Sequence, residues 1–74
     1  MKGIKEKFKI FGFNVQRQRL AKKMPIEVLA EKTGIRKQYL EKIERGEAMG
    51  VRTGHLFSIA KALNVEPYIL AKGL

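Results

Sequence analysis

The stretch GIRKQYLEKIERGE, residues 34–47, combines long polar side chains with apolar ones in one short segment. On a helix that advances about 100° per residue, most of its polar side chains fall within an arc of roughly 140°. These outward residues are Lys37, Gln38, Glu41, Lys42 and Arg45. The opposite side carries Leu40 and Ile43, together with Arg36 and Tyr39. Such a helix has one face to bury and another that can donate hydrogen bonds to an anionic or polar surface.

Spacing alone allows two interpretations of this segment. The plainer one is a solvated surface helix, and the wheel taken by itself favours it. The other is a helix that enters the major groove of B-DNA, which is about 12 Å wide and admits one α-helix. The net charge bears on the choice, because 16 Lys and Arg against 7 acidic residues give +9 on a chain of 74 residues. That charge favours anionic partners, with nucleic acid first and anionic lipid second.

Composition excludes several classes of protein. The chain is short enough for one domain, and its 45% of hydrophobic residues is typical of a globular protein. It has no cysteine and one histidine, so neither a disulfide scaffold nor a structural zinc site is expected. No apolar run approaches the roughly 20 residues of a membrane span, and no secretory signal opens the chain. We therefore expect a cytoplasmic protein with no membrane partner.

Nothing in the sequence supports catalysis. The chain has no aspartate, no cysteine and no glycine-rich phosphate loop. We predict that the protein is not an enzyme and that it uses no cofactor and no metal. His55, near the start of a predicted helix, is interpreted as a surface or capping-edge residue.

Apolar spacing and helix-breaking residues predict five short helices and no repeats. Gly34 supplies the left-handed residue that ends the second helix, Gly46 ends the third, and Thr53 is the expected N-cap of the fourth. The predicted helices cover about 12–23, 25–32, 36–45 and 53–63, and a last short helix begins at Pro67. The fold class predicted from this pattern is all-α.

The first eleven residues have no helix-capping signal, and we interpret residues 1–11 as a basic arm that precedes a domain of residues 12–74. Lys7, Phe8, Lys9 and Ile10 alternate in polarity, which would suit a strand paired with a partner chain. A flexible tail, an arm that reaches into DNA and a short membrane-binding segment are the other interpretations. The sequence does not decide among them.

Ala30, Gly34, Leu40 and Ile43 have the spacing of a helix-turn-helix, with a small residue where two helices cross, a turn glycine and two apolar anchors. Residues 12–71, about four-fifths of the chain, resemble the Cro and phage-repressor-like helix-turn-helix family, also called the xenobiotic response element family. The segments that carry the resemblance are LAEKTGI, IERGE, IAKALNV and YIL. The resemblance implies a compact, five-helix, lambda-repressor-like domain that binds double-stranded DNA, often as a homodimer.

The resemblance also assigns roles to individual residues. Family positions that read bases fall on Lys37, Gln38 and Lys42, which the wheel places outward. Their chemistry agrees, since Gln can bond adenine bidentately and Lys can donate to guanine O6 and N7. Residues expected to contact phosphate are Arg36, Tyr39, Arg45, Arg52 and Thr53.

The sequence departs from the family pattern at the start of the second helix, where Pro25 and Ile26 replace a Ser or Thr followed by Gln. Ile26 has no side-chain donor, so a phosphate contact from that position is not expected, although backbone amides at the helix start could still supply one. The loop after Gly46 is expected to be one residue longer than usual, with Met49 and Gly50 at its middle.

Two sets of ion pairs are expected around the third helix. The resemblance places Arg19 opposite Glu44, so that a salt bridge joins the first and third helices. Glu41 lies four residues from both Lys37 and Arg45, and pairing with these cations is favoured over contact with a cytosine amine.

These observations predict a sequence-specific DNA-binding regulator of transcription, in the form of a homodimeric repressor. One alternative is the antitoxin of a toxin–antitoxin pair, which would bind a toxin protein as well as DNA. The other is a protein-interaction module whose helix-turn-helix no longer binds DNA.

Overall fold

The computed structural model describes residues 3–48 and 50–74. These residues form five helices: α1 (Ile4–Ala21), α2 (Ile26–Thr33), α3 (Lys37–Glu44), α4 (Thr53–Leu63) and α5 (Pro67–Ala71). The described residues contain no strand. The all-α, five-helix prediction is confirmed, and the bounds of the last four helices agree with the predicted ones to within a residue or so.

The first helix is longer than the sequence predicted. It begins at Ile4 and not at residue 12, so residues 4–11 are its first two turns and do not form a separate arm or a strand. The physical reason is an apolar repeat with helical spacing, because Ile4, Phe8, Phe11 and Val15 follow one another at intervals of four, three and four residues. Phe11 is buried in the core. Residues 1 and 2 of the expected arm lie outside the described residues.

A glycine inside α1 explains how this helix can pass so close to α3. Gly12 is buried, and a Cβ atom built on it would overlap the carbonyl oxygen of Ile43 and lie 2.9 Å from that of Glu44. Any larger residue would push the two backbones apart. Gly12 therefore allows the backbones of α1 and α3 to lie in close contact.

The core lies where α1, α3, α4 and α5 meet, and α2 packs on α3 and α4. Leu40 and Ile43 of α3 are buried, as predicted, and Ala30 of α2 is half-buried against the same cluster. The buried apolar residues are Phe11, Val15, Leu29, Leu40, Ile43, Ala48, Ile59, Ala60, Leu63 and Leu70. The inner face of α3 is thus fixed to the rest of the domain.

One buried amide fastens α5 to α1. The Nδ2 atom of Asn14 donates to the carbonyl oxygens of Leu70 and Lys72, both at 2.8 Å. These carbonyls lie at the end of a five-residue helix, where no following helical turn supplies amides that could donate to them. Asn14 therefore stabilises a helix that is too short to be stable alone.

Candidate nucleic-acid interface

The turn between α2 and α3 is fixed by a left-handed glycine and a hydroxyl group. Gly34 has φ +74°, and its amide donates to the carbonyl of Ala30 at 2.8 Å. Thr33 Oγ1 donates to the Leu29 carbonyl at 2.8 Å and accepts the amide of Ile35 at 3.2 Å. These bonds end α2 and fix the conformation of the three-residue turn that leads to α3. Gly34 has the conformation that the sequence predicted.

A bidentate salt bridge joins the C-terminal end of α3 to α1. Arg19 Nε donates to Glu44 Oε2 at 2.7 Å, and Arg19 Nη2 donates to Glu44 Oε1 at 3.0 Å. The side chains are 13% and 5% exposed, respectively. Arg19 Nη1 also donates to the carbonyl of Met24 at 2.9 Å. The predicted contact between Arg19 and Glu44 is confirmed, and the hydrogen bond to Glu44 raises the pKa of Arg19 above its ordinary value.

The opposite face of α3 is exposed. Lys37, Gln38 and Lys42, the predicted base-reading residues, are all exposed, and so are Arg36 and Arg45. A groove between α3 and α4 is lined by Gln38, Lys42 and five other residues: Gly34, Ile35, Arg36, Tyr39 and His55. The structure therefore brings the predicted polar residues of α3 onto one accessible surface. Their contacts with bases and phosphates stay predictions.

The expected pairing of Glu41 is not seen. Lys37 Nζ lies 3.1 Å from Glu27 Oε2 on α2, and Arg45 Nε lies 3.0 Å from Glu47 Oε1. The prediction considered neighbours within one helix, whereas the turn brings the first residues of α2 and α3 together and gives Lys37 a nearer partner. Glu41 still acts electrostatically on Lys37, and the pKa of Lys37 is raised first by the hydrogen bond to Glu27.

Glu27 is a component of this surface that the sequence analysis missed. The pKa of its carboxyl is lowered, mainly because its own backbone amide donates to it and secondly because Lys37 does. The position of Glu27 could have predicted this interaction, because a carboxylate in the first turn of a helix interacts favourably with the free amides there. The carboxylate therefore lies beside an amide in the first turn of α2, the turn whose amides were expected to be able to hold a phosphate.

The start of α4 presents a second group of polar atoms. Arg52 is the N-cap and Thr53 the first helical residue, so the prediction of Thr53 as N-cap was wrong by one position. Among the described residues, no side chain caps α3 or α4, which leaves amide groups of their first turns available to an anion. Arg52 and Thr53 are exposed, as phosphate-contacting residues must be. Met49, in the expected longer loop, lies outside the described residues.

His55 is less exposed than predicted, because it packs against Tyr39. Their rings are 5.5 Å apart between centroids in an edge-to-face arrangement, with 60° between the planes. The Nδ1 atom of His55 is buried and has no hydrogen-bond partner among residues 3–48 and 50–74. The ring contact fixes Tyr39, a predicted phosphate ligand, against α4.

In the described part of the chain, no group of three or more His, Cys, Asp or Glu side chains is placed to hold a metal ion. No helix there combines the length and the apolarity that crossing a bilayer would require.

Two helices joined by a three-residue turn, with the second anchored by apolar residues and exposed on its polar side, define a helix-turn-helix protein. A family model described as helix-turn-helix, of the xenobiotic response element type, matches residues 15–70, about three quarters of the chain. The chain belongs to this family, as the resemblance implied, and the family supports a role in DNA-binding transcriptional regulation.

Among solved structures, the chain is similar to the restriction-modification controller protein C.AhdI from Aeromonas hydrophila. The two are 32% identical and superpose with a TM-score of 0.81, over 85% of this chain and 94% of the other. Comparison of the sequence with curated proteins found no match.

Proposed function

We propose that this protein represses transcription by binding a specific sequence in double-stranded DNA as a homodimer, with α3 in the major groove. The observation that carries the proposal is the outward face of α3, where Lys37, Gln38 and Lys42 are exposed while Leu40 and Ile43 fix the helix from behind. An eight-residue helix is about 12 Å long, which is comparable with the width of the groove.

Contacts with bases and contacts with phosphates would fall to different residues. Gln38 can bond an adenine bidentately, and the two lysines can donate to guanine, so these side chains would specify the sequence. The cations and hydroxyls around them would position α3 without reading sequence. These positioning residues are Arg36, Tyr39, Arg45, Arg52 and Thr53.

The small size of the reading surface supports a homodimer. One α3 covers a single half-site, and two copies related by a two-fold axis would read both halves of a symmetric operator. Occupation of such a site within a promoter would exclude polymerase, which is the simplest route to repression. We expect this to take place in the cytoplasm.

Similarity to a restriction-modification controller protein favours a second, more particular role. The chain would then control the genes of a restriction–modification system. Binding to the DNA upstream of its own reading frame, when that frame neighbours a methyltransferase or an endonuclease, would support this role.

The salt dependence of DNA binding tests the proposal. The +9 charge and the cationic face of α3 should make duplex affinity fall steeply with salt, because each phosphate contact releases about 0.9 counterion. The dissociation constant would be measured with a labelled duplex between about 50 and 200 mM salt, the range over which six to ten phosphate contacts cost about 10³–10⁵ in affinity. Absent or salt-independent binding would contradict the proposal and favour a protein-interaction module.

A further inference from the structure

Two lysines in the first turns of α1 lie beside the loop that joins α3 to α4. A Cβ atom built on Gly46 would lie 2.6 Å from Lys9 Cγ and 2.7 Å from Lys9 Cα, so Lys9 directly contacts the residue that follows α3 and its C-cap. Lys7 lines a small cleft together with Arg52 and Thr53, at the start of α4. Both lysines are exposed. One lysine therefore stands at each end of the α3–α4 loop.

These lysines add positive charge next to cations that are already present. Lys9 contacts Gly46, the residue that follows Arg45, and Lys7 lines the same cleft as Arg52, so four cationic residues lie in or beside one loop. The ion pair of Arg45 with Glu47, at 3.0 Å, offsets one of the four charges. Like charges that gather at one place repel each other, and a bound polyanion relieves that repulsion.

From this arrangement we infer that Lys7 and Lys9 bind phosphates of the DNA backbone and extend the α3 site along the edge of the groove. The inference rests on the proposed function. Lysine suits this task, because its ammonium is a point charge on a flexible stem. A contact between that ammonium and a phosphate positions the protein and carries no sequence information directly. The first turns of α1 would thus contact DNA as part of the folded helix, and not as a flexible arm.

The number of counterions released on binding tests the inference. We would compare the wild-type protein with Lys7→Gln, Lys9→Gln and the double variant, on the cognate duplex and on random duplex DNA. Each lost phosphate contact should lower the slope of log affinity against log salt by about 0.9. An increase in salt from about 50 to 200 mM lowers the affinity of each protein by some factor. That factor should be about 3–4 times smaller for each single variant than for the wild-type protein, and about 12 times smaller for the double variant. The change should be the same on both duplexes.

Lys61→Gln is the matched control, because it removes the same charge from an exposed lysine about 12 Å further along α4 than Thr53. Its slope should stay close to the wild-type slope, and Lys9→Arg should keep that slope as well. Circular dichroism melts would confirm that all variants are folded.

Three results would overturn the inference while leaving the proposed function intact. In the first, the double variant keeps the wild-type slope. In the second, its slope changes no more than that of Lys61→Gln. Loss of binding to phosphatidylglycerol vesicles with an unchanged DNA slope would also overturn it and would identify the first turns of α1 as a lipid-binding segment. A wild-type protein that binds no DNA would refute the proposed function itself.

Discussion

The bridge between Arg19 and Glu44 should couple the stability of the domain to the position of α3. Glu44→Gln keeps the shape of the side chain but removes the charge that pairs with Arg19. Loss of one partner of a buried pair costs about 3–5 kcal/mol, whereas an exposed pair is worth less than about 1 kcal/mol. With Glu44 5% and Arg19 13% exposed, the pair lies nearer the buried case, but glutamine still offers an oxygen to the guanidinium. We expect a loss of about 2 kcal/mol, or roughly 8–16 °C in Tm.

Arg19→Met should cost more than Glu44→Gln, for two reasons. It leaves the more buried of the two side chains as an unpaired carboxylate, and it removes the donor to the Met24 carbonyl. The double variant Arg19→Met with Glu44→Leu removes both charges, and apolar replacement of a buried pair often restores stability. Thermal and urea melts by circular dichroism would give the coupling energy. Arg45→Gln, in a pair whose side chains are 55% and 59% exposed, is the control and should change Tm little.

DNA affinity distinguishes a bridge that orients α3 from a charge that merely repels phosphate. At a temperature where every variant is folded, Glu44→Gln should bind DNA more weakly if the bridge orients the helix. A residue that acts through repulsion alone predicts tighter binding after neutralisation. Losses of stability that add in the double variant, with no coupling between the two sites, would refute the structural reasoning.

Further predictions concern residues around the same surface. Gly12→Ala should destabilise the domain by about 1–3 kcal/mol, because the added Cβ overlaps the backbone of α3. Gly54→Ala should instead stabilise it by up to about 1 kcal/mol, because no neighbouring atom among residues 3–48 and 50–74 lies within 4 Å of its Cβ position. Melts that rank the two variants alike would contradict the close approach of α1 and α3. Lys37→Gln should raise the pKa of Glu27 without restoring its ordinary value, because the backbone amide that lowers it most remains; carboxyl NMR titration would show this, and an unchanged pKa would argue against the ion pair. Since that pKa is lowered by folding, any stability gained from Glu27 is present above the ordinary glutamate pKa and is lost as the pH falls through the lowered value. Glu27→Gln should also tighten binding to random DNA, as fluorescence titration would reveal, since it removes an anion from the side proposed to face DNA. Weaker binding would mean that Glu27 helps to position Lys37 for its contact with DNA.

The parts of the fold that follow from local chemistry could be predicted from the sequence. Gly34 and Pro67 mark helix ends by backbone conformation, and the alternation of Leu40 and Ile43 with lysines identifies both faces of α3. The resemblance to the family added the contact between Arg19 and Glu44, which no local pattern indicates. These features depend on neighbours in sequence or on positions shared across the family.

The features that were missed depend on tertiary contact. The first helix was predicted to begin near Gly12, because a glycine inside a helix is costly unless another backbone approaches it. Asn14 gave no signal of its role, since its two acceptors lie 56 and 58 residues further along the chain. Lys37 was assigned to Glu41 of its own helix, but the turn brought Glu27 closer. In each case the deciding group comes from a different helix.

Specificity of binding by α3 is tested most directly with Gln38→Ala. The operator would be selected from random duplex DNA, and the affinities of wild type and variant would then be measured on that operator and on an unrelated duplex at one salt concentration. Gln38→Ala should lose about 1–3 kcal/mol on the operator and little on unrelated DNA, because base contacts specify sequence. Arg52→Ala, the comparison for a phosphate contact, should weaken both by similar factors. Equal losses on the two duplexes for Gln38→Ala would contradict the insertion of α3 into the major groove as the reading element.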